Sequence, residues 1–109
     1  MVMKRQQALE IVAKARQALQ GIYDRGLRGV YLYGSGARDQ LTDDSDIDIA
    51  VILNQIPDRF AEHERISQLA PDLSLEYDTL VTFLLITESD FADGPFLVYR
   101  TIKREGIPV

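Results

Sequence analysis

Val30-Tyr31-Leu32-Tyr33-Gly34-Ser35-Gly36-Ala37-Arg38 leads through a polar segment into Asp46-Ile47-Asp48-Ile49-Ala50-Val51-Ile52-Leu53. The first part reads as a short strand ending in a glycine turn that carries a serine, and the second as a strand opened by two carboxylates. Side chains at i and i+2 leave the same face of a strand, so Asp46 and Asp48 project together while Ile47, Ile49 and Val51 point into a core. Two adjacent acids repel each other, and a divalent cation between them is the usual remedy.

The spacing suggests a shared metal site. Asp46 and Asp48 would stand about 7 Å apart at their Cα atoms, within reach of two ions about 4 Å apart. A third acid from a neighbouring strand, about 5 Å to the side, would complete the cluster. The run Leu75-Glu76-Tyr77-Asp78-Thr79-Leu80-Val81-Thr82-Phe83-Leu84-Leu85-Ile86 is rich in β-formers and predicts a strand within residues 74–87. On that strand Asp78 is the first choice for the third acid and Glu76 the second. Such a triad suits in-line phosphoryl or nucleotidyl transfer, with one Mg²⁺ activating a hydroxyl and another holding a triphosphate. Asp78, near the first ion, could also help to remove the hydroxyl proton. Gly34 and Gly36 let backbone approach phosphates, Ser35 offers a hydroxyl, and Arg38 is close enough in sequence to steady the same charge.

Composition narrows the alternatives. The 109 residues, 46% hydrophobic and 27% charged, predict one ordinary folded domain over 1–109. A net charge of -5 gives no overall basic field for a nucleic-acid backbone, so no direct nucleic-acid partner is expected. With no cysteine, disulfides, thiolate metal sites and thiol nucleophiles are excluded. A charged amphipathic N-terminal segment and the lack of any long apolar run predict a cytoplasmic protein with no membrane partner.

Along the chain, apolar positions Ala8, Ile11, Val12, Ala15, Leu19 and Ile22 mark one face of a helix over 4–23, with Lys4, Arg5, Lys14, Arg16 and Gln17 toward solvent and Gly26 as a left-handed stop. A strand is expected at 28–33 and another at 46–53, with a polar loop at 36–45 between them. A helix over 57–69 should bury Phe60, Ile66 and Leu69 and end at Pro71 and Asp72. Thr87 should cap a short helical turn, and a last helix over 96–105 should end at Gly106, leaving Ile107-Pro108-Val109 as a tail. Lys103 and Arg104, in the last turn, suit the helix dipole.

Competing motifs fail. There is no P-loop sequence, Asp39 stands where a dinucleotide fingerprint needs its third glycine, and a calcium loop from Asp44 would have Ile49 and Gln55 in place of its glycine and glutamate. His63, the lone histidine, sits between Glu62 and Glu64 in a helical segment and reads as a surface residue. A Gly-Ser followed ten residues later by Asp-x-Asp arises by chance at roughly 0.003 per chain, which sets the combination above its single parts.

Gly34-Ser35, ten residues, then Asp46-x-Asp48 resembles the signature of the polymerase-β-type nucleotidyltransferase superfamily. The chain is most similar in kind to its minimal members, the MNT antitoxins of prokaryotic HEPN–MNT toxin–antitoxin pairs. Asp39 departs from the glycine common at its position in the family. The resemblance implies the nucleotidyltransferase fold, of α/β (α+β) class, with a small mixed β-sheet flanked by helices. It implies Mg²⁺-dependent transfer of AMP from ATP to a hydroxyl, in the antitoxin case a tyrosine of the partner HEPN ribonuclease toxin. Relatives that modify antibiotics or extend RNA add an acceptor domain, and 109 residues leave no room for one, so the acceptor is expected on another protein. Two further readings stay open: a binding module that masks the toxin without catalysis, and the catalytic subunit of a small-molecule nucleotidyltransferase.

Overall fold

Helix α1, Arg5–Tyr23, buries Ala8, Ile11, Val12, Ala15 and Leu19 completely, as its apolar spacing dictates. These belong to the computed structural model, which describes residues 5–38, 41 and 46–109. Much of the expected loop, including Asp39, Gln40, Thr42, Asp43, Asp44 and Ser45, lies outside the described residues, as does Lys4. After α1 the left-handed residue is Asp24 (φ 49°), in place of the expected Gly26, and one 3₁₀ turn over Asp24–Gly26 leads into the sheet.

Strands β1, Leu27–Tyr33, β2, Ile47–Leu53, β3, Val81–Thr87, and β4, Ile107–Pro108, form a mixed sheet in the order β3-β2-β1-β4. β1 runs antiparallel to both β2 and β4, whereas β3 runs parallel to β2. The expected tail is therefore an edge strand, Leu32 facing Ile107, extended by the Val109 amide donating to the Val30 carbonyl at 2.9 Å. All of β2 except Asp48 is buried, as befits a strand covered on both faces.

Strand alternation sorts the core into two layers. Val30, Leu32, Ile47, Ile49, Val51, Leu53, Val81 and Leu85 face α1 and the crossover helices. Ala50, Ile52 and Ile86 face the other way and pack with Tyr99 and Ile102 of the last helix, beside Tyr31, Tyr33, Leu84 and Phe91. By the same alternation Asp48 and Thr82 belong to this second face.

Between β2 and β3 the chain departs from expectation. The helix expected over 57–69 is two helices, α2, Arg59–Arg65, and α3, Leu69–Tyr77. Asp58 caps α2 by accepting from the Ala61 amide at 3.2 Å. Pro71 does not end a helix; it sits in the first turn of α3, where its missing N–H has no helical acceptor to lose. Ile66 is buried as expected, but Phe60 is 74% exposed.

The segment expected as strand from Ser74 is helical as far as Tyr77. Leu69, Leu73 and Tyr77, four residues apart, meet the core that α1 covers, and this spacing overrides the β-formers around them. Asp78 ends α3 in the left-handed conformation (φ 51°, ψ 46°). Ser74 ties helix to strand: its hydroxyl donates to the Ala70 carbonyl at 2.7 Å and accepts from the Val81 amide at 3.0 Å. Arg59 reaches across to donate to the Leu85 carbonyl at 2.7 Å.

Thr87 caps α4, Glu88–Asp93, by accepting from the Asp90 amide at 3.1 Å, and α5, Leu97–Glu105, follows. Lys103 of α5 donates to the Ala92 carbonyl at 2.7 Å, satisfying an acceptor in the last turn of α4.

Candidate active site

Antiparallel pairing sets Tyr33, the last residue of β1, opposite Asp48, the second residue of β2. Beyond Tyr33 the chain makes one 3₁₀ turn, Gly34–Gly36, that folds over this carboxylate. Two constraints select glycine at 34. Its φ is 71°, and a Cβ there would stand 2.5 Å from Asp48 Oδ2. Gly36 is buried, and a Cβ on it would come to 3.0 Å from Leu32 Cδ1.

The turn is held from outside by a residue that sequence reasoning placed in solvent. Arg5 donates from Nε to the Gly36 carbonyl at 3.3 Å and from its terminal nitrogen to the Ala37 carbonyl at 2.6 Å. The Arg38 amide closes the turn onto the Gly34 carbonyl at 3.3 Å.

Asp48 is tied through one oxygen and crowded at the other. Oδ2 lies against Gly34, and Oδ1 accepts from the Thr82 hydroxyl at 2.9 Å. Burial pushes the Asp48 carboxyl above the usual carboxylate range, and the charge of Asp46 adds to the rise, against the opposing effect of the Thr82 hydrogen bond. Tyr33 is pushed up as well, by burial first and by the Asp48 charge second. Asp46 is exposed, immediately ahead of β2, where the Ile47 amide donates to the Leu80 carbonyl at 2.8 Å.

The structure thus sets Asp48 against Gly34, with Asp46 near enough for its charge to act on Asp48, and carries a half-buried Ser35 and the buried Gly36 on the same turn. It does not bring Asp78 to them as the third member of a cluster. Asp78 lies three residues before β3, in the cap of α3, and among the described residues no three of His, Cys, Asp and Glu come together in a metal-binding group. Glu76 is an α3 residue that pairs with Lys14 of α1. Opposite Asp48 on β3 stands Thr82. Arg38, the expected phosphate ligand, forms an ion pair with Glu105 of α5 at 3.7 Å.

Sequence reasoning passed over Arg5 and Thr82. For Thr82 the sequence offered only a polar residue between Val81 and Phe83, which does not by itself set it opposite Asp48. For Arg5 it offered no signal, because its role depends on where α1 crosses the turn.

The chain matches the polymerase beta, nucleotidyltransferase family over residues 17–103, which includes the whole Gly34–Asp48 region. It belongs to that family. The chain is 29% identical over 95 residues to MJ0141 of Methanocaldococcus jannaschii, a protein provisionally named a protein adenylyltransferase; the match spans 87% of this chain and 83% of that one. Its fold matches a chain in the solved structure of a toxin–antitoxin with AMP-PNP, with a TM-score of 0.59 and 23% identity over 87% of this chain and 69% of that one. A chain in the complex of the tri-AMPylated Shewanella oneidensis HEPN toxin with its MNT antitoxin matches with a TM-score of 0.58 and 21% identity, over 93% of this chain and 70% of that one. At these identities the two structural likenesses establish the nucleotidyltransferase fold, a four-stranded mixed sheet with helices, as the sequence implied. No described helix is long and apolar enough to cross a membrane.

Proposed function

We propose that this nucleotidyltransferase transfers AMP from ATP to a hydroxyl of a partner protein, a tyrosine of a HEPN ribonuclease toxin, and so acts as its antitoxin. The observation that carries the reading is Asp48 held between the left-handed Gly34 turn and Thr82, with the charge of Asp46 beside it. The relatives add the acceptor class: one is provisionally named a protein adenylyltransferase, and another is an MNT antitoxin bound to an AMPylated HEPN toxin.

The carboxylate pair fits a divalent cation. Asp48 is raised by burial and by the Asp46 charge, so a positive ion relieves a conflict built into the site. Mg²⁺ is commonly held by one or two carboxylates with substrate phosphates completing its shell, and Asp46 and Asp48 would supply the protein share. When bound, Mg²⁺ supplies charge neutralisation for the triphosphate and the departing pyrophosphate.

The chain's own residues do the rest. Gly34, Ser35 and Gly36 receive phosphates on a turn braced by Arg5, with backbone close enough to donate and a serine hydroxyl at its centre. Arg38 steadies the same charge, exchanging Glu105 for phosphate oxygens. The acceptor oxygen forms a bond to the α-phosphorus as the bond from that phosphorus to the bridging oxygen breaks. Pyrophosphate leaves and the hydroxyl proton passes to water. A net charge of -5 suits a basic ribonuclease as the partner that brings the hydroxyl.

ATP labelled on the α-phosphate tests this directly. Label should pass to a HEPN toxin encoded beside this chain, and Asp46→Ala with Asp48→Ala should abolish it. Label found only on a small molecule would refute the protein acceptor. The lack of a three-acid group among the described residues favours a second reading, toxin masking without chemistry. Neutralisation that survives the double substitution, with no label transferred, would establish it.

A further inference from the structure

Among the described residues, Asp48 of β2 stands opposite the hydroxyl of Thr82 on β3 and no third acid joins Asp46 and Asp48. The register pairs Ile47 with Val81 and Asp48 with Thr82. Adjacent strands lie about 5 Å apart, so the position from which a third acid would reach the pair is that of Thr82. Its hydroxyl is already turned to the site, donating to Asp48 Oδ1 at 2.9 Å. The two acids considered for the role are elsewhere, Asp78 in the left-handed cap of α3 and Glu76 paired with Lys14.

We infer that Thr82 occupies the third-ligand position with a neutral hydroxyl, so that the free protein binds a divalent cation weakly and takes it up jointly with the triphosphate. This rests on the nucleotidyltransferase reading of the site but not on the identity of the acceptor. Ligand charge count is a main determinant of affinity for hard cations, and a threonine contributes none. The Thr82 hydrogen bond also engages Oδ1 of Asp48, while Oδ2 is turned toward Gly34 and the turn that would receive phosphates. Asp46 and Asp48 would hold the cation, and the nucleotide would supply its remaining ligands.

Mn²⁺, followed by electron paramagnetic resonance, is a suitable probe of the full chain without nucleotide. Wild type should bind it with a millimolar Kd, and Thr82→Asp should tighten binding by about tenfold or more. Thr82→Asn, of nearly the same shape but uncharged, should leave it weak. In wild type, calorimetry should show Mn²⁺ tightening AMP-PNP binding by at least about tenfold, since coupling between two ligands is reciprocal. A micromolar Kd for Mn²⁺ alone in wild type would overturn the inference, as would equal gains from Asp and Asn. So would AMP-PNP binding indifferent to Mn²⁺, and this wild-type arm decides alone should Thr82→Asp fail to fold. Should these results hold while no label reaches a toxin, the acceptor assignment fails and the role of Thr82 stands.

Discussion

Replacing Gly34 with alanine perturbs the site at its narrowest point. The backbone there has φ 71°, and a residue with a Cβ loses about 1–2 kcal/mol in that region. The new methyl would also stand 2.5 Å from Asp48 Oδ2, so ordinary contact near 3.4 Å requires the carboxylate to retreat by about 0.9 Å. That retreat strains the 2.9 Å hydrogen bond from Thr82. Unfolding entropy of roughly 2.1 cal/mol/K per residue over 109 residues converts the backbone cost alone into a fall in Tm of about 4–9 °C. A misplacement near 1 Å in a reacting centre costs about 100-fold in rate, and AMP transfer should fall by that order. Calorimetry and label transfer read the two effects separately. A double-mutant cycle with Asp48→Ala isolates the contact, because without the carboxylate only the backbone cost remains. Gly21→Ala, on an exposed stretch of α1 with nothing within 4 Å, is the control and should raise Tm by a few degrees, from about 0.5–1 kcal/mol of helix propensity. Gly34→Ala with Tm within 2 °C of wild type, roughly the scatter of such measurements, and with undiminished transfer would refute the reasoning.

Arg5→Ala removes both hydrogen bonds to the turn and should cost about 1–3 kcal/mol, with a raised KM for ATP; Arg5→Lys should recover only part, and an unchanged KM would contradict the bracing role. Thr87→Ala removes the cap of α4 and should lower stability by about 1 kcal/mol in denaturant titration without changing metal binding. Tyr23 is raised to about 12, by burial first and the nearby Glu62 carboxylate second, with Arg65 opposing. Because its folded value exceeds the unfolded one near 10, its contribution to stability is complete below pH 10 and is lost as pH rises toward 12. Ultraviolet titration of phenolate should therefore lose late-titrating amplitude in Tyr23→Phe, and loss near pH 10 would contradict this.

Local pattern carried much of the fold. The α1 face is written in residues three and four apart, and Ile47, Ile49 and Val51 alternate with Asp48 as a strand must. Gly34 and Asp48 were legible because a turn that needs glycine and an acid that opens a strand leave local marks. The segment after β2 was not, because Leu69, Leu73 and Tyr77 spell a helix only once the core they meet is known, while the residues between them favour strand. Placing the start of that strand too early moved the third acid to Asp78. The register that selects Thr82 depends on the pairing of β2 with β3, which no local pattern encodes. Arg5 and the Arg38–Glu105 pair are likewise products of tertiary packing.

The most direct test of the central claim is a crystal structure with Mn²⁺ and AMP-PNP, read by anomalous scattering. A manganese peak is expected in contact with both Asp46 and Asp48, with the triphosphate lying on Gly34, Ser35 and Gly36. Nucleotide bound at another face of the sheet, or manganese that touches neither carboxylate, would contradict it.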